Sequence, residues 1–269
     1  MTPPAKASLA GWRIVVTRPD HQAQGLCQAI ERLGGAVLRF PAIEIAPPKS
    51  LALAHASLAN IDDYDWLIFI SANAVNGALA LLPRETLATI QARFAAVGSA
   101  TAGALLRAGR APDVYPERGG GGEDLLQLGV FAAPCKQRIL IIRGEGGKEW
   151  LAQELARRGA TVGYAEVYRR VCPKPTPEQI AGVWLAPTPP QIVIVTSRDA
   201  LENLCNMLTG AAKRRLFATQ LVVVSTDMVK KALAAGFART ALLAGPTDES
   251  IIETLVNHVD PPAVEDRFS

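Results

Sequence analysis

The chain has 269 residues, 49% of them hydrophobic and 20% charged, with 28 basic against 25 acidic side chains and a net charge of +3. That length suits one large domain or two ordinary ones, and so even a charge balance, with no basic run or aromatic-basic stripe, argues against a nucleic-acid partner. Four scattered cysteines without a C-x-x-C and only three histidines argue against a metal site or a disulfide framework, and leave reduced thiols as the expectation.

The N-terminal "MTPPAKASLAGW" carries no apolar core of an export signal, and no apolar run approaches the roughly 20 residues a membrane span requires. A soluble, cytoplasmic chain with no membrane partner is expected. Along the chain, "RIVVTR" (13–18) reads as a buried strand that ends in a polar turn and opens a helix. "FPAIEIAPPKS" (40–50) reads as an extended, proline-marked stretch. "WLIFISANAVNGAL" and "AAVGSATAGALLRAG" repeat the strand–turn–helix form, and the "GGGG" of 119–122 reads as a flexible loop, a candidate lid.

From residue 138 the chain says the same things again. "RILIIR" (138–143) aligns with "RIVVTR" at an offset of 125 (138 − 13), and Gly159 then falls on Gly34. "IVIVTSRDALENL" aligns with the "LIFISANAV" block, Ser197 on Ser71 (offset 126). "VVVSTDMVKKALAAG" aligns with "AAVGSATAGALLRAG", Gly236 on Gly109 (offset 127). Three blocks in one order at near-constant spacing indicate an internal duplication. Short β-branched runs alternating with helical stretches imply parallel sheets, and runs apolar throughout imply sheets covered on both faces. The fold class is α/β, with two doubly wound domains of about four or five strands each.

Two layouts satisfy this pattern. In one the halves are tandem, with a boundary between 115 and 137. In the other the chain crosses twice, at 40–50 and at "EVYRRVCPKPTP" (166–177), so that the first domain is discontinuous. The residues alone leave both open.

Ligands of open parallel sheets bind beyond the carboxyl ends of the strands. There lie Thr17-Arg18, Ser71-Ala72-Asn73, Gly98-Ser99-Ala100-Thr101, Arg143-Gly144, Thr196-Ser197-Arg198 and Ser225-Thr226. Each opens a helix whose free N–H groups favour anions, while the blander role for each Ser or Thr is a helix cap. "RGEGG" lacks the spacing of a phosphate loop. His21 and His55 have solvated surroundings, and no nucleophile–base set or acid pair is spaced for catalysis. The residues point to a two-domain α/β protein that takes a small anionic ligand in a cleft without a cofactor.

"VTRPDHQAQGLCQAIERLGGAVLRFPAIEI", "DWLIFISANAV", "AAVGSATAGALLRAG", "RGEGGKEWLAQELARRGATVGYAEVYRR", "IVIVTSRDALENL" and "GPTDESIIETL" together resemble the uroporphyrinogen-III synthase family from Arg13 to about Leu255. The resemblance implies the discontinuous layout: 1–40 plus 172–269 as one domain, 46–165 as the other, 41–45 and 166–171 as a two-stranded connector, and an active-site cleft between the domains. It implies a substrate, hydroxymethylbilane, that is a linear tetrapyrrole with eight carboxylates. It also implies ring closure to uroporphyrinogen III with ring D inverted through a spiro intermediate, for haem, sirohaem and cobalamin synthesis, without metal or organic cofactor.

Carried over by position, Tyr168 matches the family tyrosine that serves the departing hydroxyl; the alternative is packing in the connector. Gly98, Thr101, Ser71, Asn73, Thr196 and Ser197 match substrate-binding turns, although Ile70 stands where the family has Thr. Arg18 and Arg143 match arginines that either hold carboxylates or brace their turns. In the last block Ser225 and Met228 stand where the family often has Gly and Thr, which leaves Ser225 and Thr226 for substrate binding there. A monomer is expected. The rival reading is a non-enzymatic, two-lobed binding protein for a small anion.

Overall fold

A computed structural model describes residues 8–83, 86–243, 245 and 247–257. Residues 1–7, the greater part of the segment read for an export signal, lie outside that set. Among the described residues ten strands run in chain order: β1 Arg13–Val16, β2 Ala36–Arg39, β3 Glu44–Ala46, β4 Trp66–Phe69, β5 Arg93–Ala96, β6 Arg138–Gly144, β7 Thr161–Val171, β8 Ile192–Val195, β9 Gln220–Val223 and β10 Thr240–Leu242. The chain divides into two compact units, Met1–Glu44 with Val171–Ser269, and Ile45–Arg170.

Each unit is built on a five-stranded sheet, ordered β10-β9-β8-β1-β2 in the first and β3-β7-β6-β4-β5 in the second. The duplication is visible in these orders, because β9-β8-β1-β2 repeats as β5-β4-β6-β7. Pairings of β1 with β2 and β8, and of β6 with β4 and β7, are parallel. The fifth strands differ. In the first unit β10 adds beyond β9, with Ala241 opposite Val222. At the offset of 127, the second unit keeps a single parallel bridge, Ala95 to Val114, as the counterpart of β10. Its fifth strand is instead β3, on the other edge.

Apolar strands and amphipathic helices account for the layers. Ile14, Val15 and Val16 of β1, all of β4 and β8, and Ile139, Leu140 and Ile142 of β6 are at most 1% exposed, as expected of sheets covered on both faces. Burying each such side chain contributes about 1.5–3 kcal/mol. The helix Asp20–Arg32 buries Ala23, Leu26, Cys27 and Ile30 at helical spacing. It ends at Gly34 (φ 86°), and the helix Trp150–Arg157 ends at Gly159 (φ 92°). In both, the following N–H returns to a carbonyl five residues back: Gly35 to Ile30 and Ala160 to Leu155. A left-handed residue is required there, which glycine supplies without a Cβ clash.

The two crossings are built differently. Pro41 has no N–H to give a ladder, and the first crossing is broken into two short strands, β2 and β3. The second has no proline before Pro173, and β7 runs unbroken for 11 residues. β3 lies beside β7 in the sheet of the second unit. The glycine run at 119–122 is tied down: the Gly121 N–H donates to the Val97 carbonyl and the Gly120 N–H to Asp124 Oδ2, both at 2.7 Å. All four cysteines are free thiols. Among the described residues no helix is long and apolar enough to cross a membrane.

Candidate active site

Five of the six polar clusters lie beyond the carboxyl ends of their strands, whereas Arg143 and Gly144 are the last residues of β6, still paired with β7; three of the serines do one job. Ser71 accepts from the Ala74 N–H, Ser197 from Ala200 and Ser225 from Met228, at 3.1, 3.2 and 3.3 Å. Each is the N-cap of its helix, and each takes one of the four N–H groups that a helix start leaves unpaired. Gly98 caps the helix Ser99–Arg107 without a side chain. A Cβ there would stand 3.4 Å from Gly120 Cα, so the glycine run lies across this turn. Thr101 is buried, 4% exposed. Asn73 and Thr196 are half-buried and Thr226 is exposed. Met228, where the family often has Thr, is buried at 2% exposure, so this position lends its turn no hydroxyl.

In the second unit one serine has a further partner. The Tyr168 hydroxyl lies 3.2 Å from Ser71 Oγ. Tyr168 itself is only 3% exposed and belongs to the core cluster formed with Phe69, Val75 and Ile142. Of the two roles anticipated for it, the packing is seen directly: the ring lies in the core, and its hydroxyl meets the cap of the helix Ala72–Leu81.

The two arginines separate. Arg143 is 2% exposed, and its guanidinium is spent on its own turn. It donates to the carbonyls of Gly144 and Gly147 and to Glu149 Oε1 at 3.1 Å, and its plane lies 4.7 Å from the Tyr164 ring. Of the two roles offered by its sequence position, bracing the turn is the one the geometry shows. Tyr164 donates to Glu149 Oε2 at 2.5 Å. Burial, followed by this bond, pushes the phenol up to about 12, and the bond from Tyr164 is the main cause that holds Glu149 below its ordinary range. Arg18 pairs with Asp248 Oδ1 at 2.5 Å, at the start of the helix Asp248–Asn257.

Sequence reasoning passed over Asp248, Tyr164 and Glu149. Asp248 is separated from Arg18 by 230 residues, and no local spacing announces such a pair. The acid of "RGEGGKE" that binds Arg143 is the second one, Glu149; Glu145 accepts from the Lys49 N–H instead. No group of three metal-ligating side chains occurs among the described residues.

A family model described as "Uroporphyrinogen-III synthase HemD" matches residues 24–253. A uroporphyrinogen-III synthase of Synechococcus elongatus is 31% identical over 210 residues, covering 77% of this chain and 78% of that protein. The Escherichia coli uroporphyrinogen-III synthase is 29% identical over 244 residues, covering 90% and 99%. Among solved structures, a uroporphyrinogen-III synthetase from Helicobacter pylori superposes with a TM-score of 0.61 over 90% of this chain and 97% of that one, at 16% identity. That likeness bears on the fold.

Proposed function

Because the chain belongs to the uroporphyrinogen-III synthase family, we propose that it closes hydroxymethylbilane to uroporphyrinogen III, with Tyr168 serving the departing hydroxyl. Loss of that hydroxyl as water leaves an azafulvenium cation on the first ring. Unguided, the free terminus of ring D attacks it and gives the type I isomer. The synthase favours attack by the substituted carbon of ring D. The spiro product then breaks on its other side and recloses with ring D turned round. Such a task is met by positioning and by fixed dipoles, with one proton donor for the leaving group.

The match over residues 24–253 carries the reading of the reaction, and the Tyr168–Ser71 contact supports the placing of the donor. Ser71 Oγ already accepts the Ala74 N–H. Its own proton, turned to the Tyr168 oxygen, leaves the phenol O–H free to face substrate. Carboxylates of the substrate are held by the unpaired N–H groups of the helix starts at Ser71, Gly98, Ser197 and Ser225, assisted by Asn73, Thr101, Thr196, Thr226 and Arg18. Arg143 serves by fixing its turn. The same reading has the protein act as a cytoplasmic monomer without a cofactor.

The test is to supply freshly made hydroxymethylbilane, oxidise the products and resolve the isomers by chromatography. Isomer III in excess over a protein-free control is expected. Isomer I alone would leave only a binding protein for an anionic ligand. Tyr168→Phe is expected to lower kcat by about 100-fold, the lower end of what a positioned proton donor contributes, with little change in KM.

A further inference from the structure

We infer that Gly144 and Gly77 are positioning residues which together form a backbone seat for Tyr168 and fix where its hydroxyl points; the inference rests on Tyr168 being the group that serves the leaving hydroxyl. The seat begins with a bulge. Along β6 and β7 the register pairs Arg143 with Glu166 and then Gly144 with Tyr168, which leaves Val167 unpaired. Side chains alternate across a strand, so Ala165 and Val167 share a face and Tyr168 would otherwise point to the other. The inserted residue turns it back. Ala165, Val167 and Tyr168 all lie in the same core cluster.

Two close approaches then frame the bulge, one at the ring of Tyr168 and one at the unpaired Val167. A Cβ on Gly144 would stand 2.6 Å from Tyr168 Cζ, the atom that carries the hydroxyl, and 2.8 Å from Cε2. The phenol thus lies directly on bare backbone. At Val167, a Cβ on Gly77 would stand 2.7 Å from the carbonyl oxygen and 2.9 Å from Cγ2. Gly77 is in the helix whose cap is Ser71. Its missing side chain sets how near that helix comes to the bulge, and so how near Ser71 Oγ comes to the Tyr168 oxygen. Neither glycine has a left-handed φ, so what each supplies is space rather than backbone freedom.

Gly144→Ala and Gly77→Ala each put a methyl group where the seat is. Both proteins are expected to fold, with kcat lowered by about tenfold, KM unchanged, and little further loss when the same change is made in Tyr168→Phe, since coupled sites fail to add. In protein labelled with ring-13C tyrosine, the Tyr168 signal, identified by its loss in Tyr168→Phe, is expected to move in both alanine variants. A folded Gly144→Ala protein with an unmoved Tyr168 signal overturns the seat. So does an equal loss of kcat in the presence and absence of the hydroxyl. Should Tyr168→Phe keep full kcat, the proton-donor reading fails by itself, and the signal still decides whether the glycines set the ring. If Gly144→Ala does not fold, Gly77→Ala carries both measurements, because its contact comes from a different element.

Discussion

Arg18 and Arg143 close the first strand of their halves 125 residues apart (143 − 18), and they have taken up different work. Arg143 has a side chain 3% exposed and spends its guanidinium on two carbonyls and one acid of its own turn. Arg18 is 15% exposed and reaches a helix from the far end of the chain, at Asp248. The cause is local. After Arg143 the chain has six residues before its helix, and Gly147 leaves the space: a Cβ there would lie 2.7 Å from the guanidinium. After Arg18 comes Pro19, and the helix begins at Asp20, so no loop exists for Arg18 to fold against. Duplication repeats the backbone path. The side chain's role is set by what the next few residues allow.

The contrast is broken most sharply by removing each arginine. Arg143→Ala removes a buried guanidinium and its bonds to the Gly144 and Gly147 carbonyls and is expected to cost about 2 kcal/mol of unfolding free energy, read by urea titration. Arg18→Ala is expected to cost less than about 1 kcal/mol and to show instead as a higher KM for hydroxymethylbilane. Between them lie the caps: Ser197→Ala and Ser225→Ala are each expected to lose about 1 kcal/mol, most of it regained with Gly.

The smallest effect lies in pH. Glu149 is held low, so its contribution is present above its ordinary value of 4.5 and lost as pH falls through the lowered one. Tyr164 is held high, so its contribution is present below 10.0 and lost as pH rises through about 12. The melting temperature of the protein minus that of Tyr164→Phe is therefore expected to be largest between those limits and to shrink at both ends. A difference flat across the whole range would show that the bond adds no stability.

Much of this was legible in the residues. The offset of 125 to 127 placed four of the five strands of each sheet, because β-branched runs and the glycines at 34 and 159 mark the same backbone events twice. The cap serines were readable for the same reason. The contrast at the other edge was not: β10 and the lone Ala95–Val114 bridge differ in how far a short segment lies down, which no periodicity records. Tyr168 was readable by its place in "EVYRR", but its facing was not. A one-residue bulge reverses the side on which a strand residue points, and only the space left at Gly144 and Gly77 reveals it. Asp248 was hidden by distance along the chain.

The order of the strands also bears on how the molecule is made. β1 pairs with β8 through Ile14 and Ile192, and all of Ile45–Arg170 is threaded between them. A ribosome releases the second unit complete while β1 and β2 still have no β8 to lie against. The inserted unit is thus the natural first folder. The leading strands wait as bare apolar ribbon for more than a hundred residues of synthesis, an interval in which aggregation competes with folding.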